Sequence, residues 1–375
     1  MKKIALIGST GSIGVQTLNV VRRHPDKFKI VSLTCGSNDK LLQEQIKEFK
    51  PSIACSINPV QEKIDGVKYF DGDNSFTNAI TSDCDVVVVA LVGFKGIIAV
   101  LDAIEKGKDI ALANKESLVV GGDLVMQQAR EKGVKIYPID SEHSAVWQSL
   151  SFDYNRPLNK IILTCSGGAF RDKSKEELKN LTAKEALKHP NWNMGAKITV
   201  DCATLVNKGF EVIEAHYLYN IPYEKIDVII HKESIIHSMV EYVDGSTIAQ
   251  MSYPSMEIPI TLALTAPERI NTDVKGLDFA EIGKLTFASP DSERFPCLEL
   301  VINAGKIGRG YPAVVNGANE QAVKLFLQGK IKYDDIYACI KGAFDAFKGM
   351  DITCFDDLLK ADAFGVKYVI DRFGV

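Results

Sequence analysis

The chain has 375 residues, of which 46% are apolar and 25% charged, with a net charge of −4 and no long basic run. That balance describes a folded protein of two or three domains, and it argues against a disordered chain and against nucleic acid as a main partner. Eight scattered cysteines without a C-x-x-C pair read as reduced thiols. No stretch approaches the roughly 20 apolar residues that span a bilayer, and the N-terminus lacks a signal segment, so a cytoplasmic location is expected.

Strands are expected at Lys3–Ile7, Lys29–Thr34, Ser52–Cys55, Asp85–Leu91, Asp109–Ala113 and Val134–Ile139, alternating with helices such as Ile13–Arg23 and Gly96–Lys106. The run Val86-Val-Val-Val-Ala90 suits a strand buried on both faces of a parallel sheet. This alternation predicts an α/β fold, with a Rossmann-like doubly wound parallel sheet over residues 1–140. Ligands should collect beyond the carboxyl ends of its strands.

From Ser141 to Thr265 the rhythm changes to an α+β catalytic and connective domain, residues 141–265. Its expected strands are Lys160–Cys165, Lys197–Val200, Asp227–His231, Ile235–Val243 and Thr247–Ser252, with a hairpin turn at Asp244-Gly245. Pro254, Pro259, Pro267 and the weakly periodic stretch to Phe295 suggest a linker, placed at 266–295. Residues 296–375 form a C-terminal helical domain, with helices at Leu298–Gly305, Ala313–Leu327, Tyr333–Phe347 and Asp356–Phe373.

The loop Gly8-Ser9-Thr10-Gly11-Ser12-Ile13-Gly14 follows the first strand and opens a helix. Glycines there let the backbone turn tightly and approach a pyrophosphate, which the helix N-terminus attracts. The second strand ends in Gly36, Ser37 and Asn38, with no carboxylate until Asp39 and with Lys40 close by. Small polar donors suit a ribose 2′-phosphate better than a 2′-hydroxyl, so NADPH is preferred over NADH.

Asp140-Ser141-Glu142-His143 follows the sixth strand. If the strand's alternation continues, both acids leave its end on one face. With a third acid they would cage a hard divalent cation such as Mg²⁺ or Mn²⁺. The bland alternative is an acidic helix start capped by Ser141. Asn114-Lys115-Glu116 ends a parallel strand, where Lys115 would face the nicotinamide crevice. Ser166-Gly167-Gly168 reads as a phosphate nest or a simple turn. His189-Pro-Asn-Trp192 reads as a lid that closes over substrate. Asn207 and Lys208 would hold a phosphate, and Glu211 in the same helix would supply the third carboxylate. Taken singly, each of these has an ordinary structural explanation; together they describe one site.

In order along the chain, Gly8-Ser-Thr-Gly-Ser-Ile-Gly14, Ala113-Asn-Lys-Glu-Ser117, Asp140-Ser-Glu-His143, Ser166-Gly-Gly168, His189-Pro-Asn-Trp192-Asn-Met-Gly195, Asn207-Lys-Gly-Phe-Glu211 and Ile236-His-Ser-Met239 resemble the 1-deoxy-D-xylulose 5-phosphate reductoisomerase family. The resemblance implies conversion of 1-deoxy-D-xylulose 5-phosphate to 2-C-methyl-D-erythritol 4-phosphate in non-mevalonate isoprenoid biosynthesis, with NADPH and Mg²⁺ or Mn²⁺, in a homodimer without membrane attachment. It assigns Asp140, Glu142 and Glu211 to the metal, and Ser141, Ser166, His189, Cys202, Asn207 and Lys208 to substrate and its phosphate. Trp192 falls in a flap, His237 and Met256 lie near the site, and Gly195 joins the cofactor contacts alongside the glycine loop and Asn114-Lys115-Glu116. Glu142 and Lys115 are the candidates for moving protons. Fosmidomycin-like phosphonate hydroxamates should inhibit, because a hydroxamate is a bidentate metal ligand.

One position departs from the pattern: Cys202 stands where the family usually has serine. A thiol is the weaker hydrogen-bond donor, so a loss of phosphate affinity on the order of 1 kcal/mol is expected. The competing readings are another NADP-linked two-domain sugar or semialdehyde dehydrogenase, whose activity would survive removal of metal, and a non-catalytic NADPH sensor, which would bind without turnover.

Overall fold

The computed structural model describes residues 1–60, 62–153, 156–178 and 181–374. Two compact units divide the chain: Met1–Ser117 with Val125–Ser144 and Ser255–Val274, and Leu118–Leu124 with Ala145–Pro254 and Lys275–Val375.

The first unit is built on seven strands: β1 (Lys2–Ile7), β2 (Phe28–Thr34), β3 (Ile53–Ser56), β4 (Lys68–Asp71), β5 (Val86–Val89), β6 (Asp109–Leu112) and β7 (Ile136–Pro138). They lie in the order β4-β3-β2-β1-β5-β6-β7, and each neighbouring pair is parallel. The order reverses between β1 and β5, the switch point of a doubly wound sheet, where a crevice opens beyond the strand ends. All four valines of β5 are buried, as the β-branched run requires. β4 is not among the expected strands. Its four residues, Lys-Tyr-Phe-Asp, sit at the sheet edge with charged ends, the usual guard on an edge strand.

Ile4, Leu6, Leu33, Val86 and Val88 form a core that also takes Ile260, Ala263 and Leu264 from the helix Glu257–Thr265. Burying side chains of this size is worth about 1.5–3 kcal/mol each. Pro259 is the third residue of that helix, where its missing N–H breaks no intrahelical bond. Arg23 ties the segment down through ion pairs to Glu257 and Asp273.

The second unit holds a four-stranded sheet, β8 (Leu158–Cys165), β9 (Ile226–Ile230), β10 (Ile236–Tyr242) and β11 (Thr247–Met251), in the order β11-β10-β8-β9. β10 is antiparallel to both of its neighbours, and β8 and β9 are parallel. The β10–β11 hairpin turns at Asp244-Gly245, as its turn chemistry predicts. Helices Cys297–Ile307, Tyr311–Leu327, Tyr333–Ala346 and Phe355–Phe373 occupy the C-terminal part.

One expected strand is overturned. Lys197–Val200 lies in the helix Ala196–Thr204. That helix buries Thr199, Val200 and Ala203, and an i,i+4 pair of Lys197 with buried Asp201 at 2.8 Å braces it. Tertiary packing overrides the β propensity of Ile198-Thr199-Val200. Among the described residues no helix is long and apolar enough to cross a membrane.

Candidate functional site

In the first unit the glycine loop runs between β1 and the helix Ser12–Arg23. Gly8 sits at φ +94°, and a Cβ there would lie 2.7 Å from the Ala90 carbonyl oxygen beyond β5. A Cβ on Gly14 would lie 2.2 Å from the Gly8 oxygen, so both positions require glycine. Gly11 differs, since its nearest neighbour would be at 3.5 Å. It precedes the helix without a side-chain cap, and an uncapped helix N-terminus of this kind is suited to an anion. Beyond β2, Ser37 and Asn38 are exposed, and the Asn38 side chain accepts from Leu41 N at 3.2 Å.

Asn114 is buried at the end of β6, where its amide nitrogen donates to the carbonyls of Leu91 (3.1 Å) and Gly93 (3.0 Å), and to Glu116 at 3.1 Å. It thereby fixes the loop after β5. Lys115 is 6% exposed, and its ammonium lies 2.6 Å from Asp140 Oδ2. The other Asp140 oxygen accepts from the Glu142 amide at 3.2 Å and lies 3.6 Å from His143 Nδ1.

These contacts correct two expectations about the acidic stretch. β7 stops at Pro138, so the two acids are not placed by strand alternation. The side chain that caps the following helix, Ser141–Ser149, belongs to Asp140; Ser141 is the first helical residue and donates instead to Glu142 Oε2 at 2.6 Å. A carboxylate one residue before a helix accepts the second amide of the first turn, which is what an N-cap does. The convergence survives by this other route, because Asp140 and Glu142 each offer an oxygen within 4.8 Å of the other. Hydrogen-bonded carboxylates on short mounts are hard oxygen donors of the kind Mg²⁺ and Mn²⁺ take.

In the second unit β8 runs into Ser166-Gly167-Gly168. A Cβ on Gly168, at φ +71°, would lie 2.4 Å from the Cys202 carbonyl oxygen, so glycine lets this loop rest against the helix that carries Cys202. His189 Nδ1 accepts from the amides of Asn191 (3.2 Å) and Trp192 (2.9 Å). Its proton therefore sits on Nε2, which lies 2.9 Å from Ser166 Oγ and donates to it. The same oxygen accepts from Gly168 N at 3.2 Å. With two bonds accepted, the Ser166 hydroxyl is left to donate outward, the role an anion needs. Burial pushes the His189 imidazole down to about 4, and the Arg171 guanidinium pushes in the same direction.

Arg171 has no motif around it and escaped the reading of the sequence. Its Nη1 donates to the Ser166 carbonyl (2.9 Å), to the Asn191 side chain (3.2 Å) and to the Lys232 carbonyl (3.0 Å). One side chain thus ties the glycine loop to the His-Pro-Asn-Trp segment. Trp192 stands edge-on to His237 with ring centroids 6.0 Å apart, and His237 Nε2 lies 2.9 Å from Ser252 Oγ.

The helix Val206–Tyr219 follows the helix Ala196–Thr204 across Leu205 alone, which takes the left-handed conformation at φ +60°. Non-glycine residues bear a cost there of the order of 1 kcal/mol or more, and here the bend orients a charged first turn. Asn207 Nδ2 donates to Glu211 Oε1 at 2.5 Å, and Lys208 pairs with Glu211 Oε2. Glu211 is 1% exposed and Lys208 2%, so this charge pair is buried. Gly195 precedes the helix carrying Cys202, whereas Met256 packs partly buried against the first unit's core.

The structure therefore joins Lys115 to Asp140, Asp140 to Glu142, Ser166 to His189, Trp192 to His237, and Asn207 and Lys208 to Glu211. Three family profiles match the chain: 1-deoxy-D-xylulose 5-phosphate reductoisomerase over residues 4–122, its C-terminal domain over 136–219, and the DXP reductoisomerase C-terminal domain over 251–367. The chain is 47% identical to the 1-deoxy-D-xylulose 5-phosphate reductoisomerase of Rippkaea orientalis, covering 99% of this chain and 96% of the relative. It is 50% identical to that of Pelodictyon phaeoclathratiforme, covering 96% and 97%. Among solved structures, the Zymomonas mobilis reductoisomerase in complex with NADPH superposes with a TM-score of 0.92 at 36% identity over 99% of both chains. DOX-P reductoisomerase in complex with NADPH, fosmidomycin and magnesium superposes with 0.93 at 38% identity, over 100% of this chain and 98% of the other.

Proposed function

Since the chain belongs to the 1-deoxy-D-xylulose 5-phosphate reductoisomerase family and carries out the NADPH- and metal-dependent conversion of that sugar phosphate to 2-C-methyl-D-erythritol 4-phosphate, we propose which of its residues do the work. Asp140, Glu142 and Glu211 hold the divalent cation. Ser141, Ser166, His189, Cys202, Asn207 and Lys208 hold the substrate. The glycine loop, Gly36 to Asn38, Asn114 to Glu116 and Gly195 hold NADPH. Trp192, His237 and Met256 border the substrate.

What supports this most is the Lys115–Asp140 pair, a charge pair that sits at the carboxyl end of a parallel sheet, where such folds bind ligands. When bound, the cation would supply Lewis acidity and NADPH would supply hydride. The chain's own part is positional. Lys115 fixes one oxygen of Asp140, and the Glu142 amide fixes the other, so the carboxylate is oriented before ligand arrives. The Ser166 hydroxyl, set as a donor by His189 and Gly168, meets a phosphate oxygen. A neutral His189 keeps that polarity across the physiological range. Phosphate binding energy then closes the Trp192 segment over the substrate and excludes water. Glu142 and Lys115 remain the candidates for moving protons.

Residues 1–140, 141–265 and 296–375 are the proposed cofactor, catalytic and helical domains with 266–295 as a linker, except that Ser255–Val274 packs within the first unit and so belongs with the cofactor domain. A homodimer in the cytoplasm is part of the same reading, and reduced thiols agree with it. NADPH oxidation with 1-deoxy-D-xylulose 5-phosphate, followed with and without Mg²⁺ after chelation, tests the whole. Turnover that persists without any divalent metal would overturn the metal assignment.

A further inference from the structure

In dinucleotide-binding sheets the acid that selects NADH stands at the end of the second strand and bonds the ribose 2′-hydroxyl. β2 ends at Thr34, and Cys35, whose amide still pairs with the Cys55 carbonyl at 2.9 Å, occupies that place. A carboxylate nevertheless lies beside it. Asp39, at the start of the next helix, reaches back so that its Oδ1 lies 3.5 Å from Cys35 Sγ and accepts from Ser56 Oγ at 2.6 Å. Ser56 closes β3 and is fully buried, so its hydroxyl is a fixed donor. Burial, opposed by the Ser56 hydroxyl and assisted by the Asp39 charge, pushes the Cys35 thiol up to about 11, which keeps it protonated and able to donate. Ser37 and Asn38, by contrast, are exposed.

We propose that Ser56 is a positioning residue for cofactor choice: its hydroxyl latches the Asp39 carboxylate against the ends of β2 and β3, clear of the ribose 2′ position, so that the site accepts a 2′-phosphate. The chain thus carries an NADH-type acid in a withdrawn state. The inference rests on the NADPH reading above and deepens it. A carboxylate released toward a 2′-phosphate repels it, while the same carboxylate can accept from a 2′-hydroxyl.

Three variants of the full-length enzyme carry the test, with the dissociation constants of NADPH and NADH measured by nicotinamide fluorescence titration without substrate, and kcat/KM measured for both. Wild type is expected to prefer NADPH; a preference for NADH would refute the underlying cofactor reading itself. Ser56→Ala should lower the NADPH-to-NADH ratio about tenfold, through KM and not kcat. Asp39→Glu, which changes only a partly exposed helix start, moves the carboxylate out of the Ser56–Cys35 cradle and should shift the ratio the same way. Ser56→Ala combined with Asp39→Asn should restore the NADPH preference, because the released side chain then has no charge. A loss of stability alone would not produce that rescue. If wild type prefers NADPH and both Ser56→Ala and Asp39→Glu leave the ratio unchanged, the latch is wrong; should Ser56→Ala not fold, Asp39→Glu alone decides it.

Discussion

Replacing Lys208 by methionine removes one half of a buried ion pair while keeping most of the side-chain volume. Lys208 and Glu211 are 2% and 1% exposed, so water cannot take over the lost contact. Leaving one partner of such a pair behind costs roughly 3–5 kcal/mol. The Asn207 amide donates to Glu211 Oε1 before and after the change, so the carboxylate keeps one donor and the low end of that range applies. The expected loss is therefore about 3 kcal/mol at neutral pH. Both tryptophans, Trp147 and Trp192, belong to the second unit, so their fluorescence in urea reports the unit that carries the pair. Adding Glu211→Gln removes the charge that Lys208 had balanced, and the double variant should recover most of the lost stability. A loss below about 1 kcal/mol, or a double variant no more stable than Lys208→Met alone, would refute the claim that the pair's burial sets its energetics.

The glycine loop separates packing from binding. Gly14→Ala forces a Cβ against the Gly8 and Ser9 backbone and should destabilise the first unit by about 2 kcal/mol or more, measured by thermal melting. Gly11→Ala has ordinary clearance at φ −77°, so the melting point should hold while NADPH affinity falls; equal effects of the two would contradict this division. The His189 imidazole should titrate near 4 in NMR, well below the ordinary histidine value. Because the unfolded chain binds this proton more readily, the histidine leaves stability untouched above about pH 6.5 and lowers it as the pH falls toward 4. An imidazole that titrates at 6 or higher would show that burial and Arg171 do not act as described. Cys202→Ser should lower the KM for the sugar phosphate about fivefold, a gain on the order of 1 kcal/mol; an unchanged or higher KM would rule out the thiol as the weaker phosphate donor.

The first unit was readable because its signals are local. The valine run of β5 and the glycines at 8 and 14 each answer to one nearby constraint, burial on two faces or contact with a neighbouring backbone. The helix Ala196–Thr204 was misread because tertiary packing decides it: Thr199 and Val200 are buried, and the bond of Asn319 to Asp201 at 2.9 Å comes from chain more than 100 residues away. β4 carries too few apolar residues to announce itself. The acids of the candidate metal site were legible, but not the way they are held, since a capping carboxylate and a strand-end carboxylate look alike in the sequence. Arg171 was illegible, because three acceptors from separate segments give it its place.

Leu205 is a joint one residue long. A helix advances about 100° per residue, so a single insertion or deletion there would swing Asn207, Lys208 and Glu211 more than a quarter turn from their present bearing. Side-chain substitutions around this bend can be absorbed one contact at a time, but a change in chain length cannot. Among variants of this protein, length should be held constant between Thr204 and Val206 even where residue identity drifts.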